Sequence, residues 1–210
     1  MSNLIFDFDG TIANSFEVAE KIFYELTGHE PVTDENFIAH LRRQPLLKAA
    51  KEMHISPAQL PLLLMKGRTL MRNRMSQVKA FVGIPPVIRE LHDNGNKLFI
   101  ISSNSLPNVE EFLGEHDLLE CFDKVYGGVG LFSKARVLKK VMRRNRITAD
   151  ESFYIGDEVR DINAAKHAGV RIVSVAWGYN DIEALKEEKP FATATSPADL
   201  LQIFSDKLSD

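Results

Sequence analysis

Leu4-Ile5-Phe6-Asp7-Phe8-Asp9-Gly10-Thr11 begins three residues into the chain, and its reading governs the rest. Residues 4–8 are short, apolar and β-prone, and they run into an Asp-Gly turn, which predicts a buried strand. Residues two apart on a strand share a face, so Asp7 and Asp9 are expected to point the same way. Carboxylates in a buried strand must be paired or coordinated, because an isolated buried charge is too costly. Gly10 lets the chain turn sharply and present backbone N–H groups.

Working outward, Phe16, Ala19, Ile22, Phe23 and Leu26 recur at helical spacing within residues 15–27, and Gly28 stops the run. Residues 34–77 look helical, interrupted at Pro45, Pro57 and Pro61, with no strand signal. The texture changes after Phe81. Helical patterns at 86–94, 107–114, 134–144, 159–168 and 197–207 alternate with strand-like runs at 97–101, 124–126, 152–155, 170–175 and 191–195. That alternation implies right-handed βαβ crossovers and a Rossmann-like parallel α/β sheet with helices on both faces. The expected organisation is an α/β catalytic core, residues 1–13 and 81–210, with an all-helical cap domain, residues 14–80, inserted into it.

Composition narrows the function classes. Among 210 residues, 26 Lys plus Arg against 29 Asp plus Glu give a net charge of −3, which argues against a nucleic-acid binder working by bulk charge. A hydrophobic content of 44% and a charged content of 26% suit an ordinary globular protein. The single cysteine, Cys121, excludes an intrachain disulfide and a cysteine zinc site. Apolar runs such as 62–65 and 98–101 are too short to span a membrane. Met1-Ser2-Asn3 leads directly into the first strand, leaving no room for a signal peptide. The expectation is a cytoplasmic monomer or homodimer with no nucleic-acid or membrane partner.

Ligands of open parallel sheets bind beyond the carboxyl ends of the strands. Three such ends carry chemistry: Asp7 to Thr11, then Ser102-Ser103-Asn104, then Gly156-Asp157-Glu158-Val159-Arg160-Asp161. Several carboxylates in one crevice repel one another unless a cation sits among them, and an all-oxygen donor set suits Mg2+. Hydroxyls, an amide and backbone N–H groups at a strand end suit a phosphate. Lys134, in Gly130-Leu131-Phe132-Ser133-Lys134, opposes the helix dipole in a first turn, and an anion nearby would justify it. In the inserted block, Arg42 and Arg43 are candidates to grip a substrate carboxylate or second phosphate. The six histidines show no metal-like spacing and read as surface or packing residues, and Trp177 is given no catalytic role.

Taken as an ordered set, these motifs resemble the four-motif signature of the haloacid dehalogenase superfamily, in particular the phosphoglycolate-phosphatase-like branch with a helical cap. The resemblance covers essentially the whole chain. It implies a Mg2+-dependent phosphatase that hydrolyses a small phosphorylated metabolite through an aspartyl phosphate. Asp7 would be the nucleophile. Asp9 would be the general acid and then the base, with its carbonyl oxygen on the metal. Gly10 and Thr11 would belong to the phosphate loop. Ser102 would bind the phosphoryl oxygens, with Ser103 and Asn104 as helpers, and Lys134 would steady Asp7 and the phosphoryl group. Asp157 and Asp161 would complete the metal site. Asn14 stands where many relatives carry Asp.

Two other readings are a sugar phosphomutase and a non-catalytic protein that binds a phosphorylated ligand. The second predicts a lost carboxylate or lysine, and none is missing. The similar β-phosphoglucomutases carry a histidine early in the first cap helix. The matching position here, aligned from Asp7 without gaps, is Ala19, which the helical spacing assigns to the buried stripe.

Overall fold

The computed structural model describes residues 1–44, 46–130 and 133–205. The expected break at Pro45, the Leu131-Phe132 part of the lysine motif and the end of the last helix at Lys207 lie outside these residues.

Strand β1 spans Asn3–Phe6. Ala13–Asn14 (β2) pairs antiparallel with Lys79–Ala80 (β3), forming a ribbon through which the chain leaves the sheet region and returns to it. Between them lie α1 (Phe16–Thr27), α2 (Glu35–Arg42), α3 (Leu46–Glu52) and α4 (Leu60–Arg72). After β3 come α5 (Ile84–Asp93), β4 (Lys97–Ile101), α6 (Leu106–Glu115), β5 (Lys124–Tyr126) and α7 (Lys134–Asn145). The chain closes with β6 (Ser152–Gly156), α8 (Val159–Ala168), β7 (Arg171–Val175), α9 (Ile182–Glu187), β8 (Ala192–Ala194) and α10 (Pro197–Ser205). The six long-range strands pair in parallel in the order β5-β4-β1-β6-β7-β8. The fold is the α/β Rossmann-like sheet expected from the alternation.

β1 is apolar from Leu4 onward because both of its faces are covered. Leu4, Phe6 and Phe8 pack into a cluster with residues of α5, α6 and α10. Ile5 faces the other way, into a cluster with residues of α7 and α8. Phe6 meets Phe122 edge-on at 6.1 Å and Phe8 meets Phe112 at 5.0 Å. Burying each of these rings stabilises the fold by about 2 kcal/mol.

Four expectations change in detail. β1 ends at Phe6, two residues early, because the carbonyl of Phe8 accepts from the N–H groups of Thr11, Ile12 and Ala13 at 3.3, 2.9 and 3.0 Å. Asp9 therefore lies in a turn, and the same-face argument does not apply to it. Pro61 sits in the first turn of α4, where its missing N–H costs nothing, so it starts a helix instead of breaking one. The ribbon strands are two residues each, too short for period-two patterning to reveal. Ala19 is exposed, and the buried positions of α1 are Val18 and Ile22. No described helix is long and apolar enough to cross a membrane.

Candidate active site

Phe6 is in register with Ile100 of β4 and with Ile155 of β6, so the loops after these three strands emerge side by side. The chain runs from β1 out to β4 and β5 and then crosses back to β6 on the other side of β1. That reversal is the switch point at which parallel sheets open a crevice.

Asp7 is the first residue beyond β1 and is buried. Its Oδ1 accepts from the Phe8 N–H at 2.8 Å, and its Oδ2 lies 2.5 Å from Lys134 Nζ. Lys134, only 3% exposed, also reaches Asp161 Oδ1 at 2.5 Å. Burial pushes the Asp7 carboxyl up to about 7, with the Lys134 charge acting against that rise. Burial alone would lower the Lys134 ammonium, but the Asp161 and Asp7 carboxylates outweigh it and hold it well above its usual range. The lysine therefore stays charged, and the anion that its first-turn position called for is a pair of carboxylates.

Asp157, fully buried, is enclosed by backbone. Thr11 Oγ1 donates to its Oδ1 at 2.9 Å, and the Tyr179 N–H donates to its Oδ2 at 2.8 Å. A Cβ on Gly10, whose φ is +79°, would fall 2.1 Å from Asp157 Oδ2. One on Gly178 would fall 2.2 Å from Asp157 Cβ and 2.4 Å from the Gly10 carbonyl. Only glycine leaves room for the carboxylate at these two positions. Burial, then Glu158 and Asp161, pushes the Asp157 carboxyl well up.

Carboxylate oxygens of Asp7, Asp157 and Asp161, all buried, lie within 4.8 Å of one another. Among the described residues, Lys134 and Arg160 are the cations that act most on Asp7, Asp9 and Glu158, against five acids in Asp7, Asp9, Asp157, Glu158 and Asp161, a formal excess of three negative charges. Arg160 is itself paired with Glu158. An all-oxygen, charge-excess set of this kind fits a hard divalent cation.

Asp9 stands apart from that triad. It is hydrogen-bonded by the Asn104 amide at 3.4 Å and by the Ser15 side chain, and burial raises its carboxyl against the pull of both. Asn104 is itself fixed. Its Oδ1 accepts from the Ser105 N–H at 2.9 Å and from Asn108 Nδ2 at 2.7 Å, and its N–H donates to Ser102 Oγ at 2.9 Å. Ser102 and Asn104 are buried, with Ser103 half-buried between them. The loop after β4 thus brings hydroxyl and amide groups to the Asp9 side of the crevice.

Arg42 and Arg43, expected to reach for substrate, have protein partners. Arg42 Nε donates to the Tyr179 carbonyl at 2.7 Å and its Nη2 donates to the Gly178 carbonyl. Arg43 pairs with Asp181 at 3.3 Å, with its side chain 56% exposed.

Comparison with known proteins follows the same lines. The family model for haloacid dehalogenase-like hydrolases matches residues 4–175. The chain belongs to this family. The phosphoglycolate phosphatase of Synechococcus elongatus is 32% identical over 205 residues, covering 96% of each chain. That of Vibrio parahaemolyticus is 26% identical over 215 residues, covering 95% of this chain and 94% of its own. A haloacid dehalogenase-like family hydrolase from Streptococcus pneumoniae shares the fold, with a TM-score of 0.79 at 20% identity over 97% of this chain and 98% of that one.

In this haloacid dehalogenase-like hydrolase, sequence reasoning missed one part of the site. Gly178, Tyr179 and Asn180 follow β7, the strand next to β6, and they wrap Asp157. The rule that found the other three loops, inspection of each strand's carboxyl end, would have found this one too. Within the third acidic motif, Glu158 and Arg160 pair with each other, which their spacing does not reveal.

Proposed function

We propose that this hydrolase is a Mg2+-dependent phosphatase acting on a small phosphate monoester of the phosphoglycolate kind, through an aspartyl phosphate on Asp7. One observation carries the reading: the acids divide into two environments. Asp7 shares Lys134 with Asp161, beside Asp157, whereas Asp9 sits apart, held by Asn104 and Ser15, where burial outweighs those hydrogen bonds and raises its carboxyl. That division suits a nucleophile and a proton donor at one phosphorus. The two phosphoglycolate phosphatases above support the substrate class.

In this reading Asp7 Oδ bonds to phosphorus as the ester P–O bond breaks, and Asp9 gives its proton to the leaving oxygen. A water then attacks phosphorus and its proton passes to Asp9. The bond to Asp7 breaks, inorganic phosphate leaves, and both carboxyls return to their starting state. Lys134 holds Asp7 in line and meets the phosphoryl charge. Ser102, Ser103 and Asn104 bind the phosphoryl oxygens, whereas the N–H groups of Gly10 and Thr11, expected for that role, donate to the Ala13 and Phe8 carbonyls and shape the turn instead. Asp7, Asp157 and Asp161, with the Asp9 carbonyl, are the groups to hold the metal. When bound, Mg2+ supplies the positive charge that lets a carboxylate approach a phosphate dianion.

Hydrolysis is favoured over transfer between sugars because Ala19, at the position of the mutase histidine, has no group to gate water. The test is a panel of phosphate monoesters with Mg2+, including phosphoglycolate and β-glucose 1-phosphate with a trace of glucose 1,6-bisphosphate. Free phosphate from the small monoesters is expected. Stoichiometric glucose 6-phosphate with little free phosphate would replace this reading with a mutase.

A further inference from the structure

We propose that Arg42 and Asn180 form a clamp that joins the helical insertion to Asp157 and sets how tightly the acids hold their divalent cation. The proposal rests on the metal reading above and adds two positioning residues to it.

The clamp is built on residues 178–180. From one side, the Arg42 guanidinium at the end of α2 grips the carbonyls of Gly178 and Tyr179. It also lies 5.5 Å over the ring of Phe16, which is 5.9 Å from the Tyr179 ring. From the other side, the Tyr179 N–H donates to Asp157 Oδ2 at 2.8 Å and the Asn180 N–H to the Asp157 carbonyl at 3.3 Å. Asn180, 4% exposed, ties the two sides together. Its Oδ1 accepts from the Val159 N–H at 2.8 Å, at the start of α8, while its Nδ2 donates to the carbonyl of Arg42. A buried amide with both ends used, one on the acidic loop and one on the insertion, transmits position between them.

The consequence follows from what Asp157 has left without the clamp. Its Oδ2 depends on the Tyr179 N–H, and that N–H is aimed by the two carbonyls on either side of it, which Arg42 holds. Loss of a group that orients a ligating side chain typically weakens metal binding by 10–100-fold. Linkage is reciprocal, so a bound cation favours the clamped arrangement by the same factor.

The test is a Mg2+ titration of metal-free protein, read by calorimetry and by fluorescence of Trp177, the only tryptophan, which adjoins Gly178 and donates to the Thr11 carbonyl at 3.0 Å. Asn180→Asp keeps the acceptor for Val159 and loses the donor to Arg42. Arg42→Ala removes the grip, and Arg42→Lys keeps the charge but cannot span both carbonyls. Asn180→Asp and Arg42→Ala both make the surroundings more negative, so a bare field effect predicts tighter Mg2+ binding. The clamp predicts the opposite sign: about tenfold weaker binding in each, a smaller loss in Arg42→Lys, and a double variant no weaker than the worse single. Melting temperatures are measured alongside, and if Asn180→Asp fails to fold, the Arg42 pair carries the test. Unchanged or tighter binding in folded variants overturns the clamp. A wild-type protein that binds no Mg2+ overturns the metal reading, and the clamp falls with it.

Discussion

Lys134, in the first turn of α7, holds Asp7 from 127 residues away and Asp161 from 27 residues away, each at 2.5 Å and out of contact with water. Its helix position alone suggested that removing it would relieve an unfavourable dipole. The buried geometry reverses that expectation, since its loss leaves two carboxylates facing each other without a counter-charge. Lys134→Ala should therefore abolish turnover and also destabilise the metal-free protein at neutral pH by about 3 kcal/mol. Mg2+ should restore part of the stability and none of the activity. Thermal melts with and without Mg2+ check this, and a variant as stable as wild type in chelator contradicts it.

Asp7→Asn and Asp9→Asn should both fold and both lose at least about a thousandfold in turnover, the first for want of a nucleophile and the second of a proton carrier. Acid-quench labelling with a 32P-monoester separates them. Asp9→Asn should still accept label from an ester with a good leaving group, and Asp7→Asn should accept none. Sustained near-native turnover by Asp7→Asn would end the covalent mechanism.

Burial holds the carboxyls of Asp7, Asp9 and Asp157 above their usual range. A carboxyl raised in the folded state contributes stability that is whole below its unfolded value and is lost as pH rises through its folded value. For Asp7 that window runs from 3.8 to about 7. The melting temperature of metal-free protein should therefore fall across this window, and Mg2+ should flatten the fall, because a cation favours the ionised acids. Melts across the window, in chelator and in Mg2+, test it, and parallel curves would contradict it.

Gly178→Ala places a methyl group 2.2 Å from Asp157 Cβ and 2.4 Å from a backbone oxygen, neither of which is a flexible side-chain end. Asp157 must shift. The variant should lose turnover by at least about tenfold, together with most of the Mg2+-induced rise in melting temperature. Gly114→Ala, with open space around it, is the control and should behave as wild type.

Two kinds of signal were legible in the sequence, local pattern and the order of elements along the chain. The apolar run of β1, the glycine stop after α1, and the acids beyond strand ends are legible because period, punctuation and burial act within a few residues. The parallel sheet and the inserted helices follow from their order along the chain. The tertiary structure alone decided where side chains found partners. Arg42 reads as a free cation for substrate until its donors meet carbonyls 136 and 137 residues away. Ala19 fits a helical stripe by spacing, yet the insertion packs so that Val18 and Ile22 face inward. Asp9 leaves the strand face because the Phe8 carbonyl gathers three N–H groups into a turn. Sequence period specifies which residues can be buried together, whereas the partner of a long polar side chain depends on strand order and register, which exist only once the sheet has formed.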